Sequence, residues 1–443
     1  MDALAQAALR GAPPEELAAL PVPDRFRAAH TRVEDITMFD GVEDKDVRKS
    51  LHVGDVPMPE LAPDEVLLAV MASSVNYNTV WSGIFEPLPT FTFLQAYGKQ
   101  GRWQARHDQP YHVLGSDAAG VVVRVGDGVR RWKAGDHVTV SPVQVDDQEA
   151  AAQDDSMLSE GQRAWGYETN FGGLADYAVV RASQLVPKPG HLTWEEAASA
   201  TACAGTAYRM LVSDNGGRMK QGDVVLVWGA GGGVGAYAVQ LVKQGGGIAV
   251  GVVSSEEKAQ RLRDLGCDVV INRSELGIGD DDGTDPRQVV EAGKRLGRII
   301  RRETGEDPHI VFDCIGRATF GISMFVLRRG GSLVTCGSST GYLHQYDNRY
   351  LWMKLKRIIG CHGANMQEQW ESNRLIDIGR IMPTLSRSFP LQEIGEAARL
   401  VQKNAHMGKI GVLCLAPAPG LGVTDPAKRE RLGEDRINPL KGA

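Results

Sequence analysis

Two hydrophobic rhythms divide the chain. Between about residues 50 and 190, short apolar runs alternate with Pro, Gly and polar residues, as in EVLLAVMASSVN at 65–76 and HVLGSDAAGVVVRV at 112–125. Gly135-Asp136-His137-Val138 opens another such run, and the pattern predicts an all-β region. From Thr193 the rhythm changes. TWEEAASATACAGTAYRMLV reads as helix, and Val224–Val227, IAVGVVSS (248–255), DVVIN (268–272), HIVFDCIG (309–316) and RRGGSLVTCG (328–337) read as buried strands. EEKAQRLRDLG (256–266) and GKRLGRIIRRETG (293–305) supply helices between them, so the segment predicts a doubly wound parallel sheet. The first thirty residues read as short amphipathic helices broken at Pro13-Pro14 and Pro21-Pro23. An aromatic and basic insertion occupies 87–110, a polar solvent loop Val145–Ser159, and a Gly/Asp-rich loop 277–286. Beyond about residue 375 the pattern is mixed and ends in a Pro/Gly-rich tail expected on the surface. The predicted class is α/β, with a β-rich domain over 1–207, a parallel-sheet domain over 208–365, and a return to the first domain over 366–443.

The stretch VVLVWGAGGGVGAYAVQLVK at 224–243 joins a strand, a Gly-rich turn and a helix start. Such a turn aims backbone N–H groups at an anion, normally the pyrophosphate of a dinucleotide. A strict GxGxxG spacing fails from Gly229, whereas Gly231-x-Gly233-x-x-Ala236 fits the looser form, and Gly231, Gly232, Gly233 and Val234 are expected to line the phosphates. The uncharged run Val224–Val242 has the length of a membrane span, but clustered glycines and Gln240 make it a poor one.

The strand after this turn ends in Val253-Ser254-Ser255 rather than in the acid that binds a ribose 2′-OH. Ser254, Ser255, Lys258 and Arg273 suit a 2′-phosphate, which a carboxylate would repel. The expected cofactor is therefore NADPH.

Composition narrows the field. A net charge of −6 invites neither nucleic acid nor an acidic membrane. Six cysteines without a CxxC pair suit a reducing cytosol, and the N-terminus lacks an apolar signal region. No cysteine precedes Cys203, so the N-terminal domain offers no thiolate to a catalytic metal, and none is expected.

The layout resembles the medium-chain dehydrogenase/reductase superfamily, in which a GroES-like catalytic domain wraps a Rossmann domain. Gly115-x-Asp117-x-x-Gly120, Gly135-Asp136-x-Val138 and Ala204-Gly205-Thr206-Ala207-Tyr208 match its landmarks, and the resemblance places Thr206 at the cofactor. More specifically, NYNTVWSG at 76–83, WGYETNFGG at 165–173, YDNRYLWM at 346–353 and GKIGVLCL at 408–415 resemble the crotonyl-CoA carboxylase/reductase family, with nearly end-to-end coverage.

That resemblance implies reductive carboxylation of a 2-enoyl-CoA with CO2. Asn78 matches the residue whose amide donates to a CO2 oxygen, and Tyr167 an aromatic wall against water. Glu168 and His362 match a pair that orders a water at the far CO2 oxygen. No ATP-binding GxxxxGK[ST] loop is present, and Met353-Lys354-Leu355 is not a biotin-carrier motif. Arg349, Tyr350 and Lys294 are expected at the CoA phosphates. Ala164 and Gly363 replace bulkier family residues facing the acyl tail, which implies hexenoyl-CoA to octenoyl-CoA as substrates. Cys314-Ile315 replaces a frequent His-Pro without a physical account. A homo-oligomer, dimer or tetramer, in the cytoplasm is expected. The alternatives are a plain NADPH-dependent enoyl or quinone reductase and a catalytically silent NADPH-binding interaction protein.

Overall fold

The structure is a computed structural model that describes residues 1–277 and 283–442; half of the Gly/Asp-rich loop expected at 277–286, residues 278–282, lies outside the described residues. It contains two compact units, 1–202 with 385–442, and 203–384.

The first unit is β-rich. The strand Glu65–Val75 is buried along its whole length, because every one of its faces is covered. It pairs antiparallel with Ala119–Val125, Tyr177–Arg181 and Lys409–Leu413. The last of these is supplied by the C-terminal segment and lies parallel to Leu385–Pro390. The aromatic insertion folds as two short helices, Phe91–Gly98 and Arg102–Ala105. The polar stretch at 145–159 is not plain loop: it holds 3₁₀ turns at Ala150–Gln153 and Ser156–Leu158.

The C-terminal tail departs from the expected surface segment. Ile437 and Leu440 are fully buried, and Arg429 pairs with Glu196 at 2.8 Å. Lys188, almost fully buried, donates to the carbonyl of Gly422 at 2.8 Å. These contacts link residues more than two hundred positions apart, so no local pattern announces them.

The second unit is a parallel six-stranded sheet. Its strands are β1 (Val224–Trp228), β2 (Ile248–Val253), β3 (Val269–Asn272), β4 (Ile310–Asp313), β5 (Ser332–Thr335) and β6 (Arg357–Gly360), in the order β3-β2-β1-β4-β5-β6. β1 is wholly buried, as a central strand with helices on both faces must be. The order reverses between β1 and β4, which opens a crevice at their carboxyl ends where ligands of such sheets bind. This unit runs on to Thr384, past the expected return at 366. The reason is the helix Met366–Asp377, whose Glu368 forms a buried ion pair with Arg209 at 3.1 Å, followed by Met382, whose backbone exchanges hydrogen bonds with Gln240. Among the described residues no helix is long and apolar enough to cross a membrane.

Candidate active site

The glycine turn works through a different set of glycines from Gly231-x-Gly233-x-x-Ala236. Gly229 sits at φ 63°, in the left-handed region that glycine tolerates. Gly232 caps the helix Gly233–Gln244 and donates its N–H to the Gly229 carbonyl at 2.9 Å. A Cβ on Gly235 would stand 2.3 Å from that same carbonyl, so only glycine lets helix and strand approach. A Cβ on Gly231 would make ordinary contacts at 3.6 Å or more. The turn is thus built on Gly229, Gly232 and Gly235. Gly231, Gly233 and Val234 lie between them, at the helix N-terminus, where unpaired N–H groups favour a phosphate.

At the end of β2, Ser254 and Ser255 are half-buried. Ser255 caps the next helix, its Oγ accepting from the Lys258 N–H at 3.3 Å. The hydroxyl proton is still available to a ligand, because a hydroxyl accepts and donates at once. The Lys258 stem lies over Gly231, its Cδ 3.6 Å from where a Cβ would be. Burial lowers the pKa of this ammonium, and the Arg273 charge lowers it further. The end of β2 and the segments after it thus carry two hydroxyls, Ser254 and Ser255, and two cations, Lys258 and Arg273, whose charges act on each other. The residues present therefore fit a dinucleotide carrying a 2′-phosphate. Thr206 stands half-buried in the helix Thr201–Leu211 of the same unit.

In the first unit, Asn78 lies in the helix Tyr77–Ile84. Its Nδ2 donates to Ser116 Oγ at 2.7 Å, and Ser116 Oγ donates to the Trp165 carbonyl at 2.7 Å. Residues 164–171 fold tightly onto the Gly115 turn: Gly166 adopts φ 68°, and a Cβ there would meet the Gly115 carbonyl at 2.0 Å. Tyr167 and Glu168 both donate backbone N–H to the Ala164 carbonyl, and Glu168 Oε2 accepts from the Ala164 N–H at 2.7 Å. Asn78 is therefore tied through Ser116 to Trp165, and Tyr167 and Glu168 close onto the adjacent residue Ala164. The Tyr167 ring packs on Phe93 with centroids 5.8 Å apart. Phe93 belongs to the aromatic insertion, and only its aromatic density hinted at a role.

Behind this loop two histidines are buried and neutral. His112 Nδ1 faces the Thr90 hydroxyl at 2.8 Å and Nε2 faces the Thr169 carbonyl at 3.2 Å. The carbonyl only accepts, so Nε2 carries the proton. Burial depresses the His112 pKa to about 4 and that of His107 to about 3.

His362 and Gly363 follow β6 in the second unit, His362 exposed and Gly363 at φ 69°. Tyr350 and Lys294 meet in an electropositive pocket of about 370 Å³, lined also by Arg298, Arg301, Arg328 and Lys356. Burial and Lys354 lower the Lys356 pKa to about 8. Arg349 does not line this pocket; it is exposed and forks onto Asp347 at 2.5 Å.

Two family models match the chain: the alcohol dehydrogenase GroES-like domain over residues 62–190 and the zinc-binding dehydrogenase over 233–377. Fold and site thus define the class, a two-domain dehydrogenase with a GroES-like and a Rossmann part. The donor set does not fit the zinc of the second description. Among the described residues no group of three or more His, Cys, Asp or Glu could hold an ion, and Asp117 is already saturated by Lys409, Asn76 and Ser74.

The chain is 53% identical to the crotonyl-CoA reductase of Streptomyces avermitilis over 420 residues, 94% of each protein. It is 39% identical to the crotonyl-CoA carboxylase/reductase of Cereibacter sphaeroides, over 84% of this chain and 86% of that one. The solved structure of the 2-octenoyl-CoA carboxylase reductase CinF from a Streptomyces species, in complex with NADP and 2-octenoyl-CoA, matches with a TM-score of 0.98 at 64% identity, covering 100% of this chain and 99% of that one. The chain belongs to the crotonyl-CoA carboxylase/reductase family.

Proposed function

We propose that this protein reduces and carboxylates a medium-chain 2-enoyl-CoA, hexenoyl to octenoyl, with NADPH and CO2 to give an alkylmalonyl-CoA. The observation that supports the reading is the pair of hydrogen bonds from Asn78 through Ser116 to the Trp165 carbonyl, which ties an amide donor to the loop that bears the Tyr167 ring and the Glu168 carboxylate. Bound NADPH supplies a hydride to the β-carbon of the enoyl thioester, leaving the α-carbon nucleophilic. Asn78 then donates an N–H to one oxygen of CO2 while the Tyr167 ring, backed by Phe93, keeps water from protonating that carbon. Glu168 and His362 order a water at the other oxygen.

The glycine turn holds the cofactor pyrophosphate and Ser254, Ser255, Lys258 and Arg273 its 2′-phosphate, with Thr206 beside the cofactor. The pocket of Lys294, Arg298 and Tyr350 takes the CoA phosphates and adenine, and Arg349 swings from Asp347 to join it. Small side chains at Ala164 and Gly363 leave room for the acyl tail, consistent with the octenoyl-CoA bound by CinF. β6 ends the parallel sheet, and Trp352, Met353, Leu355 and Ile358 around it are exposed. A second copy of the chain in a homo-oligomer suits such an edge. The cytoplasm is its proposed site of action.

Replacing Asn78 by Ala tests the reading. At limiting CO2 the ratio of carboxylated to saturated product falls roughly 5- to 150-fold, the loss of one buried hydrogen bond being worth about 1–3 kcal/mol at 1.4 kcal/mol per decade. An unchanged ratio would contradict the assignment.

A further inference from the structure

We infer that Ser116 is a positioning residue for CO2 capture: its single hydroxyl proton fixes which way the Asn78 amide points and ties that amide to the loop of Tyr167 and Glu168. The inference rests on the carboxylation reading above.

The argument is an accounting of protons. Ser116 is buried, 2% exposed, and its Oγ stands 2.7 Å from two groups, the Trp165 carbonyl and the Asn78 amide. The carbonyl can only accept, so it takes the one hydroxyl proton. Ser116 then has only lone pairs to offer Asn78, and the amide must turn its NH2 group toward it. With the amide oxygen there instead, two acceptors would compete for one proton. An amide orientation that is ordinarily ambiguous is thus set by a neighbour.

The consequence reaches the reacting atoms. One N–H of Asn78 is committed to Ser116, while its second N–H and its Oδ1 make no other hydrogen bond among the described residues. That leaves a donor with a fixed direction on a half-buried side chain, as an uncharged electrophile requires. The Ser116 turn is itself held. Asp117 accepts from Lys409 at 3.0 Å, Asn76 at 2.7 Å, Ser74 at 2.7 Å and the Ala202 N–H at 3.0 Å. Ser73 donates to the Asp117 carbonyl at 2.6 Å. The hydroxyl therefore sits on a rigid base, and a shift of Asn78 is transmitted to Trp165 rather than absorbed.

The test is a double-mutant cycle with Ser116→Ala, Asn78→Ala and both together, each checked for folding by thermal melting. The readout is the ratio of carboxylated to saturated product at limiting labelled bicarbonate with carbonic anhydrase, read beside the rate of NADPH oxidation. Ser116→Ala is expected to lower the ratio about tenfold and to raise the KM for CO2 more than it lowers kcat. The double variant is expected to match Asn78→Ala alone, because Ser116 acts through Asn78. Ser116→Cys, which keeps a donor and an acceptor, should recover part of the ratio. Independent, additive effects of the two substitutions, or a Ser116→Ala ratio equal to that of the parent, would overturn the inference. A parent protein that makes no carboxylated product would instead overturn the function on which it rests.

Discussion

Lys258 offers the sharpest test of cofactor choice. Its stem lies over Gly231, and burial together with the Arg273 charge lowers the pKa of its ammonium. A charge-assisted hydrogen bond to a phosphate contributes about 1.5–3 kcal/mol, which is roughly 10- to 150-fold at 1.4 kcal/mol per decade. Lys258→Met keeps the stem packing and removes only the charge. We expect kcat/KM for NADPH to fall within that range while kcat/KM for NADH changes less than about threefold, since NADH has no 2′-phosphate. Arg273→Ala, at an exposed position, should cost less, about 0.2–1 kcal/mol. Steady-state kinetics with both cofactors provides the comparison. Equal losses for NADPH and NADH, or none for either, would refute the assignment of Lys258 to the 2′-phosphate.

Two further outcomes follow from the first unit. Ala164→Leu fills space beside the acyl tail, and with each buried methylene worth about 0.8 kcal/mol the octenoyl to crotonyl ratio of kcat/KM should fall more than tenfold; an unchanged ratio would remove Ala164 from the pocket. Ala164 is a better site for this than Gly363, where φ 69° would strain any side chain. Stability should decline in acid. His112 has a folded pKa near 4, below its ordinary 6.5, so the unfolded chain binds the extra proton and stability is lost as pH falls from about 6.5 toward 4. Denaturation midpoints of His112→Gln across this range should show a shallower loss than those of the parent, and identical slopes would contradict the buried neutral assignment.

The fold was readable because period-2 runs and strand–helix alternation are local signals, and nearly every strand of the second unit lies where its apolar run predicts. The glycine turn is legible in the sequence, but the glycines that shape it are Gly229, Gly232 and Gly235 rather than the Gly231-x-Gly233 pair. Spacing alone cannot tell a glycine needed for φ, as Gly229, or for close approach, as Gly235, from one such as Gly231 that merely touches Lys258. The segments that carry Asn78, Tyr167 and Glu168 stand out in the sequence by their family resemblance, whereas Ser116 does not. It occupies an unremarked place inside Gly115-x-Asp117, and its importance lies in partners 38 and 49 residues away. Phe93 and the tail residues Arg429 and Leu440 escaped for the same reason. Arg349 shows the converse, since a conspicuous motif position holds a side chain paired with its neighbour Asp347.

The central claim is that CO2, rather than a proton, meets the reduced substrate. The most direct measurement supplies the protein with NADPH, 2-octenoyl-CoA, isotopically labelled bicarbonate and carbonic anhydrase, and determines the mass of the product. The account predicts an alkylmalonyl-CoA carrying one labelled carboxyl group, formed in step with NADPH oxidation. Saturated octanoyl-CoA without label, formed at the same rate with or without bicarbonate, would contradict it.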